Sequence, residues 1–188
     1  MKKRINKVGV LGSGVMGSGI AAHLANAGVK CIMLDIVLPE PSEDEKKKGI
    51  TRESKEFRNK LAMLGKQNAL SSKPAALFSK NIADLIEIGN FEDDFAKLKD
   101  CDWVVEVVKE DLKIKNDLFK RIEKEVFKPG MIVSSNTSGI PISKMMEGLS
   151  DEFKRHFLVT HFFNPVRYMK LLEIIPGPET SKEVIDTI

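Results

Sequence analysis

Two side chains in the C-terminal third have the residue types of proton chemistry. His161 stands in the run THFFNP, and Glu173 follows twelve positions later inside the apolar run LLEII. An imidazole titrates near pKa ~6.5, so it can accept a proton near neutrality. A carboxylate on its other ring nitrogen fixes the tautomer and steadies the imidazolium. The duller reading is a packed histidine at a buried strand end, which is the better one for an isolated histidine.

A second constellation lies at the other end of the chain. KVGVLGSGVMGSGIAAHLANAG contains Gly12, Ser13, Gly14, Val15, Met16 and Gly17 in the spacing G-x-G-x-x-G, and a second apolar run ends at Asp35. Alone the glycine spacing is weak. Between a strand and a helix, with an acidic residue about 20 positions on, it is a dinucleotide-binding fingerprint. Gly12 allows the tight turn, Gly14 lets the backbone approach a pyrophosphate, and Gly17 lets helix and strand close up. The pyrophosphate then meets free N–H groups at the positive end of a helix. Asp35 would accept the adenosine ribose hydroxyls. Its charge repels a 2′-phosphate and neither Ile36 nor Val37 offers a cation, so NAD is expected over NADP. FAD shares the fingerprint, but no second flavin signature is present.

The third constellation sits between these two. Glu106 and Glu110 fall at or just beyond the end of DWVVEVV, and Ser135, Asn136, Thr137 and Ser138 crowd the end of the next strand. Small polar residues at a single strand end are ordinarily turn formers. Three polar groups at successive strand ends, the last being His161, converge on the edge where open parallel sheets bind ligands.

The elements that must position these groups read as alternating short apolar runs and helical patterns. That pattern implies an α/β fold with a Rossmann-like, doubly wound, mostly parallel sheet. Residues 6–11, 29–35, 102–108, 131–134, 157–161 and 171–175 are expected as strands, with a short strand in LIEIGNF. Residues 15–27, 45–64, 93–98, 112–127 and 142–149 are expected as helices. On the fourth of these, Ile114, Leu118, Ile122 and Val126 form the expected apolar stripe. Ser181 is a candidate N-cap for a last helix. The segment 181–188 is barely two turns, marginal without a packing partner. It is read as the start of a helix leading out of a domain of residues 1–180, the alternative being a short helix docked on that domain.

Composition excludes several classes. A net charge of +3 spread along the chain gives no nucleic-acid footprint, and Lys46, Lys47 and Lys48 follow directly on Glu43, Asp44 and Glu45. The basic start Met1-Lys2-Lys3-Arg4 precedes a glycine-broken run too short for a signal sequence or a membrane span. Cys31 and Cys101 are isolated and form no metal spacing, which points to a reduced, cytoplasmic setting.

Taken together, GSGVMGSGIA, Asp35, VVEVVKEDLKIK, SNTS and HFFNPVRYMKLLEI resemble the NAD-binding domain of the L-3-hydroxyacyl-CoA dehydrogenase family, over about residues 5–178. The resemblance implies Ser138, His161, Asn164 and Glu173 as active-site positions, and Glu110 and Lys115 as neighbours of the nicotinamide and its ribose. It implies NAD as cofactor and an acyl-CoA substrate oxidised at its C3 hydroxyl. His161 would be the base and Glu173 its orienting partner. Ser138 would bond the reacting oxygen, Asn164 would anchor the nicotinamide amide or a substrate carbonyl, and Phe162 and Phe163 would exclude water. The family completes its site and its homo-oligomer contacts with a helical C-terminal domain, so residues 1–188 alone are expected to bind NAD with little turnover. Residues 49–91 depart from the shorter family members where they grip CoA, and look more like the large β-oxidation enzymes. Two rival readings share the fold: a β-hydroxyacid dehydrogenase, which relies on a lysine instead, and a non-catalytic dinucleotide-binding module.

Overall fold

Side chains alternating with a period of two build a sheet with two cores. In the computed structural model, which describes residues 4–188, Val8 and Val10 of β1 (Lys7–Leu11) enter one core and Leu11 the other. Met1, Lys2 and Lys3 of the basic start lie outside the described residues. The same alternation runs through β2 (Lys30–Asp35), β4 (Trp103–Glu106), β5 (Ile132–Ser135) and β6 (Phe157–Phe162). Strands buried on both faces are the mark of a parallel sheet covered by helices on each side.

With β3 (Ile86–Asn90) and β7 (Leu172–Pro176), the sheet has seven strands in the order β3-β2-β1-β4-β5-β6-β7. Every pair is parallel except β6–β7. Chain direction across the sheet reverses at β1/β4, the topological switch point where such sheets bind ligands. The expected fold class is therefore the observed one. One face is covered by α1 (Val15–Asn26), through Ile20, Ala21 and Ala25, and by Ala69 of α4 (Lys60–Ser71). The other is covered by Leu118, Phe119 and Ile122 of α5 (Leu112–Glu125), together with Met145 of α6 (Ile142–Met145) and Phe153 of α7 (Asp151–Arg155). Trp103 donates its indole N–H to Ser134, whose hydroxyl bonds Thr160, so the polar atoms between β4, β5 and β6 are satisfied.

Three expectations are corrected. Residues 45–64 are not one helix but α2 (Glu43–Lys47), α3 (Lys55–Arg58) and most of the first half of α4. Ser42 and Glu45 form a capping box that starts α2 two residues earlier than expected, and Gly49 ends it at φ +77°. On α5, Ile114 is exposed and Lys115 is buried. A stripe stepped by four residues drifts ~40° per step against the helix, so Lys115, Leu118, Phe119 and Ile122 make the inner face instead. The segment expected as a helix over 93–98 is a 3₁₀ turn, Phe95–Asp100. At the C-terminal end Ser181 caps α8 (Lys182–Thr187), and Val184 is buried in the first core.

Candidate active site

The glycine turn is shaped by close approach. Gly12 sits at φ +107°, and a Cβ there would lie 2.6 Å from the Val107 carbonyl oxygen. A Cβ on Gly17 would come within 1.9 Å of the Gly12 carbonyl oxygen, so α1 rests directly on the turn that precedes it. Gly14 is exposed and a Cβ there would meet nothing within 4 Å. No side chain caps α1 and its first turn has no acidic residue. Free N–H groups under open space are what a pyrophosphate needs, so the turn fits a dinucleotide.

Asp35 closes β2 beside this turn. Its Oδ2 accepts the Ser13 N–H at 2.7 Å and the Ser13 hydroxyl at 2.5 Å, and its Oδ1 accepts the Ile36 N–H at 2.8 Å. The carboxylate is thus tied to the glycine loop, one residue from Gly14. Ser13 is in turn covered by α4, where a Cβ on Gly65 would stand 2.4 Å from the Ser13 carbonyl oxygen.

On the other side of the switch point a 340 Å³ cavity is walled by Gly14, Val15, Met16, Glu110, Lys115 and Asn136. The structure thus brings five of the expected cofactor residues together. Lys115 is buried between Glu106 and Glu110, with its Nζ 2.7 Å from the first and 3.2 Å from the second. Burial pushes the Glu106 carboxyl above its ordinary pKa, which Lys115 and Ser135 oppose without cancelling. Burial also raises the Glu110 carboxyl, but bonds from Thr137 and the Lys115 charge outweigh it and hold that pKa low. Glu110 accepts from the Thr137 hydroxyl and the Gly139 N–H, which leaves Ser138 exposed on the loop between them.

The next strand end carries the histidine. His161 Nδ1 lies 2.8 Å from Glu173 Oε2, and its ring tilts against Phe163 at 4.5 Å. With Nδ1 committed to the carboxylate, Nε2 is the nitrogen left for a ligand. Asn136 Oδ1 accepts the Phe162 N–H at 2.8 Å, locking the β6 end to the loop after β5. Phe162 is buried and packs edge-on against His23. Asn164 is exposed and borders a different cavity, of 450 Å³, with Val15, Ser18, Ala69, Ser72 and Tyr168. The structure therefore joins His161 to Glu173, and Glu110 to Lys115, but places Asn164 in the neighbouring hollow, with Val15 as the shared wall.

Sequence reading missed Asn136 as the bolt between two strand ends and placed Glu106 on the rim, whereas it lies beneath. A lone carboxylate inside WVVEVV was the available signal, because a buried charge requires a partner. Arg167 was also missed. It bonds the carbonyls of Ala75 and Leu77 and stacks on Phe78 at 4.2 Å, fastening the loop after α4 to the segment after His161.

Comparison with known proteins gives the family of the chain. The family described as 3-hydroxyacyl-CoA dehydrogenase, NAD binding domain, matches residues 7–188. The chain is 53% identical to a probable 3-hydroxyacyl-CoA dehydrogenase of Bacillus subtilis over 98% of its own length and 23% of that protein's. It is 34% identical to a fatty acid oxidation complex subunit alpha of Acinetobacter baumannii, over 97% of this chain and 23% of the relative. Among solved structures, the dehydrogenase part of multifunctional enzyme 1 from C. elegans superimposes with a TM-score of 0.69 at 29% identity, over 98% of this chain and 38% of that one. The chain thus spans about a quarter of the length of the two curated relatives.

Proposed function

The chain belongs to the 3-hydroxyacyl-CoA dehydrogenase NAD-binding-domain family, with NAD as its cofactor, and from that premise we propose that it is the cofactor-binding part of an enzyme that oxidises (S)-3-hydroxyacyl-CoA to the 3-ketoacyl thioester in fatty-acid oxidation. The observation that carries the proposal is the 2.8 Å contact between His161 and Glu173 on the rim that also bears the glycine turn.

NAD, when bound, supplies the acceptor for the hydride leaving C3. The chain's own groups do the rest. The N–H groups at the start of α1 bind the pyrophosphate, Asp35 takes the adenosine ribose, and Glu110 and Lys115 take the nicotinamide ribose. His161 Nε2 removes the C3 hydroxyl proton while Glu173 holds the Nδ1–H and stabilises the imidazolium. Ser138 donates a hydrogen bond to the same oxygen, and Asn164 anchors a carbonyl of the substrate or the nicotinamide amide. Tyr168, Met169, Leu171, Ile174 and Ile175, on either side of Glu173 in the sequence, are exposed, so we place the water-excluding acyl pocket in the longer polypeptide that carries this chain.

The test is steady-state turnover of 3-hydroxyacyl-CoA thioesters and free 3-hydroxyacids by that longer polypeptide, with this chain assayed beside it. The proposal expects thioester turnover by the longer protein, and NAD binding with little turnover by the chain alone. Free hydroxyacids oxidised as well as thioesters would overturn it.

A further inference from the structure

The groups lining the cavity beside Gly14 are held from below by a carboxylate that no ligand can reach. Glu106 ends β4 at 0% exposure. Its Oε1 accepts the Lys115 ammonium at 2.7 Å and the Val108 N–H at 2.7 Å. Its Oε2 accepts the same ammonium at 2.9 Å and the Ser135 hydroxyl at 2.5 Å. A carboxylate has about four acceptor sites, so Glu106 is saturated. Lys115 is 1% exposed, and its remaining ionic contact is Glu110, whose side chain is 45% exposed. One ammonium therefore has two unequal partners, a fixed one beneath it and a solvent-facing one at the cavity wall.

A buried ion pair is not needed for stability, because apolar residues of similar volume usually serve as well or better. Its position suggests a use. In this sheet a dinucleotide lies across the switch point, with adenosine above β2 and the other nucleoside above β4. The Lys115 cavity is on the β4 side.

We propose that Glu106 is a positioning residue that fixes the Lys115 ammonium to donate a hydrogen bond to a hydroxyl of the nicotinamide ribose, with Glu110 as the exchangeable partner that gives up its contact with the ammonium to that hydroxyl on binding. The proposal rests on NAD being the ligand, as argued above. Glu106 never touches NAD, yet it governs how tightly the nicotinamide half is held and leaves the adenosine half alone.

Calorimetry with NAD and with ADP, which lacks the nicotinamide riboside, separates these halves. Glu106→Gln is expected to weaken NAD by roughly ten- to hundred-fold, the range of a hydrogen bond to a charged group, with ADP affinity unchanged. Placed on Lys115→Met, the same change should add nothing, and that double variant replaces a charged pair with a neutral one, so it keeps its core. Glu106→Asp retains the charge but shortens the reach, and is expected to lose NAD affinity selectively as well. Unaltered NAD binding by Glu106→Asp, an equal loss for NAD and ADP, or an undiminished Glu106→Gln effect without Lys115 each overturns the proposal. Wild-type chain that binds ADP but gains nothing from NAD's second half removes the underlying reading instead, and the proposal with it.

Discussion

His161 and Glu173 are direct partners across the antiparallel β6–β7 pair, and their side chains meet at 2.8 Å. Register makes this contact, since a slip of one residue would send Glu173 to the opposite face of the sheet. The backbone itself therefore aims the carboxylate at Nδ1. Replacing His161 by Gln in the active polypeptide should cut turnover by about 10²–10⁴-fold. Glu173→Gln, which removes the charge that steadies the imidazolium, should cut it by about 10²-fold or more. Stopped-flow turnover checks both, and NAD affinity should stay at the wild-type value in each variant.

Asp35 gives a second prediction. On the proposed reading its carboxylate takes the adenosine ribose and would repel a 2′-phosphate there. Asp35→Asn should lower NAD affinity while raising that for NADP, so the ratio of the two dissociation constants falls by at least about ten-fold, as expected from removing a like-charge clash. Parallel titrations with both cofactors measure it. Ser13→Ala, which strips one of the three donors to Asp35, should shift the ratio in the same direction by less.

At Gly65 two effects compete. Ala is the better helix former by about 1 kcal/mol. Against that, its Cβ would stand 2.4 Å from the Ser13 carbonyl oxygen and 2.8 Å from Ser13 Cβ, and such overpacking costs about 1–3 kcal/mol. Backbone cannot swing aside as a flexible side chain can, so the clash should win. Gly65→Ala is expected to lower the melting temperature and to weaken NAD by displacing Ser13 and Asp35. A rise in melting temperature would show that α4 does not press on the cofactor loop.

Acid sensitivity should come from the segment that carries α2 to α4. The Arg58 guanidinium, 2.6 Å away, and the Asn90 amide hold the Asp93 carboxyl at about 2, below its ordinary 3.8. Lys60 and Ser42 likewise hold Glu45 at about 2. A depressed carboxyl stabilises the fold above its unfolded pKa and loses that contribution as pH falls through the folded one. Stability should accordingly decline between about pH 4 and pH 2. Arg58→Met should flatten that acid limb for Asp93, and melting curves across this range measure the difference.

The turn from β1 into α1 was legible because every local signal agrees, from the glycine spacing to the apolar strand before it and the helix after it. The strand ends that carry Asn136 and His161 could also be read, because the apolar run stops where each polar residue appears, whereas β4 was read two residues past Glu106, where it ends. Tertiary partners were not legible. Nothing local to α5 says that Lys115 turns inward, since its counter-charge arrives from β4, nine residues earlier. Asp35 reads as a free ribose ligand until the fold sets it against Ser13. Parts of three helices, α2 to α4, were merged into one over residues 45–64 because the charged stretch hides its breaks, although Ser42, Glu45 and Gly49 announce one of them.

A structure determined with NAD bound tests the whole account most directly. It should place the nicotinamide ring above β4, its ribose on Lys115 and Glu110, and His161 Nε2 facing the ring while Nδ1 stays on Glu173. A ring bound away from that rim, or an imidazole turned from it toward solvent, would contradict the account.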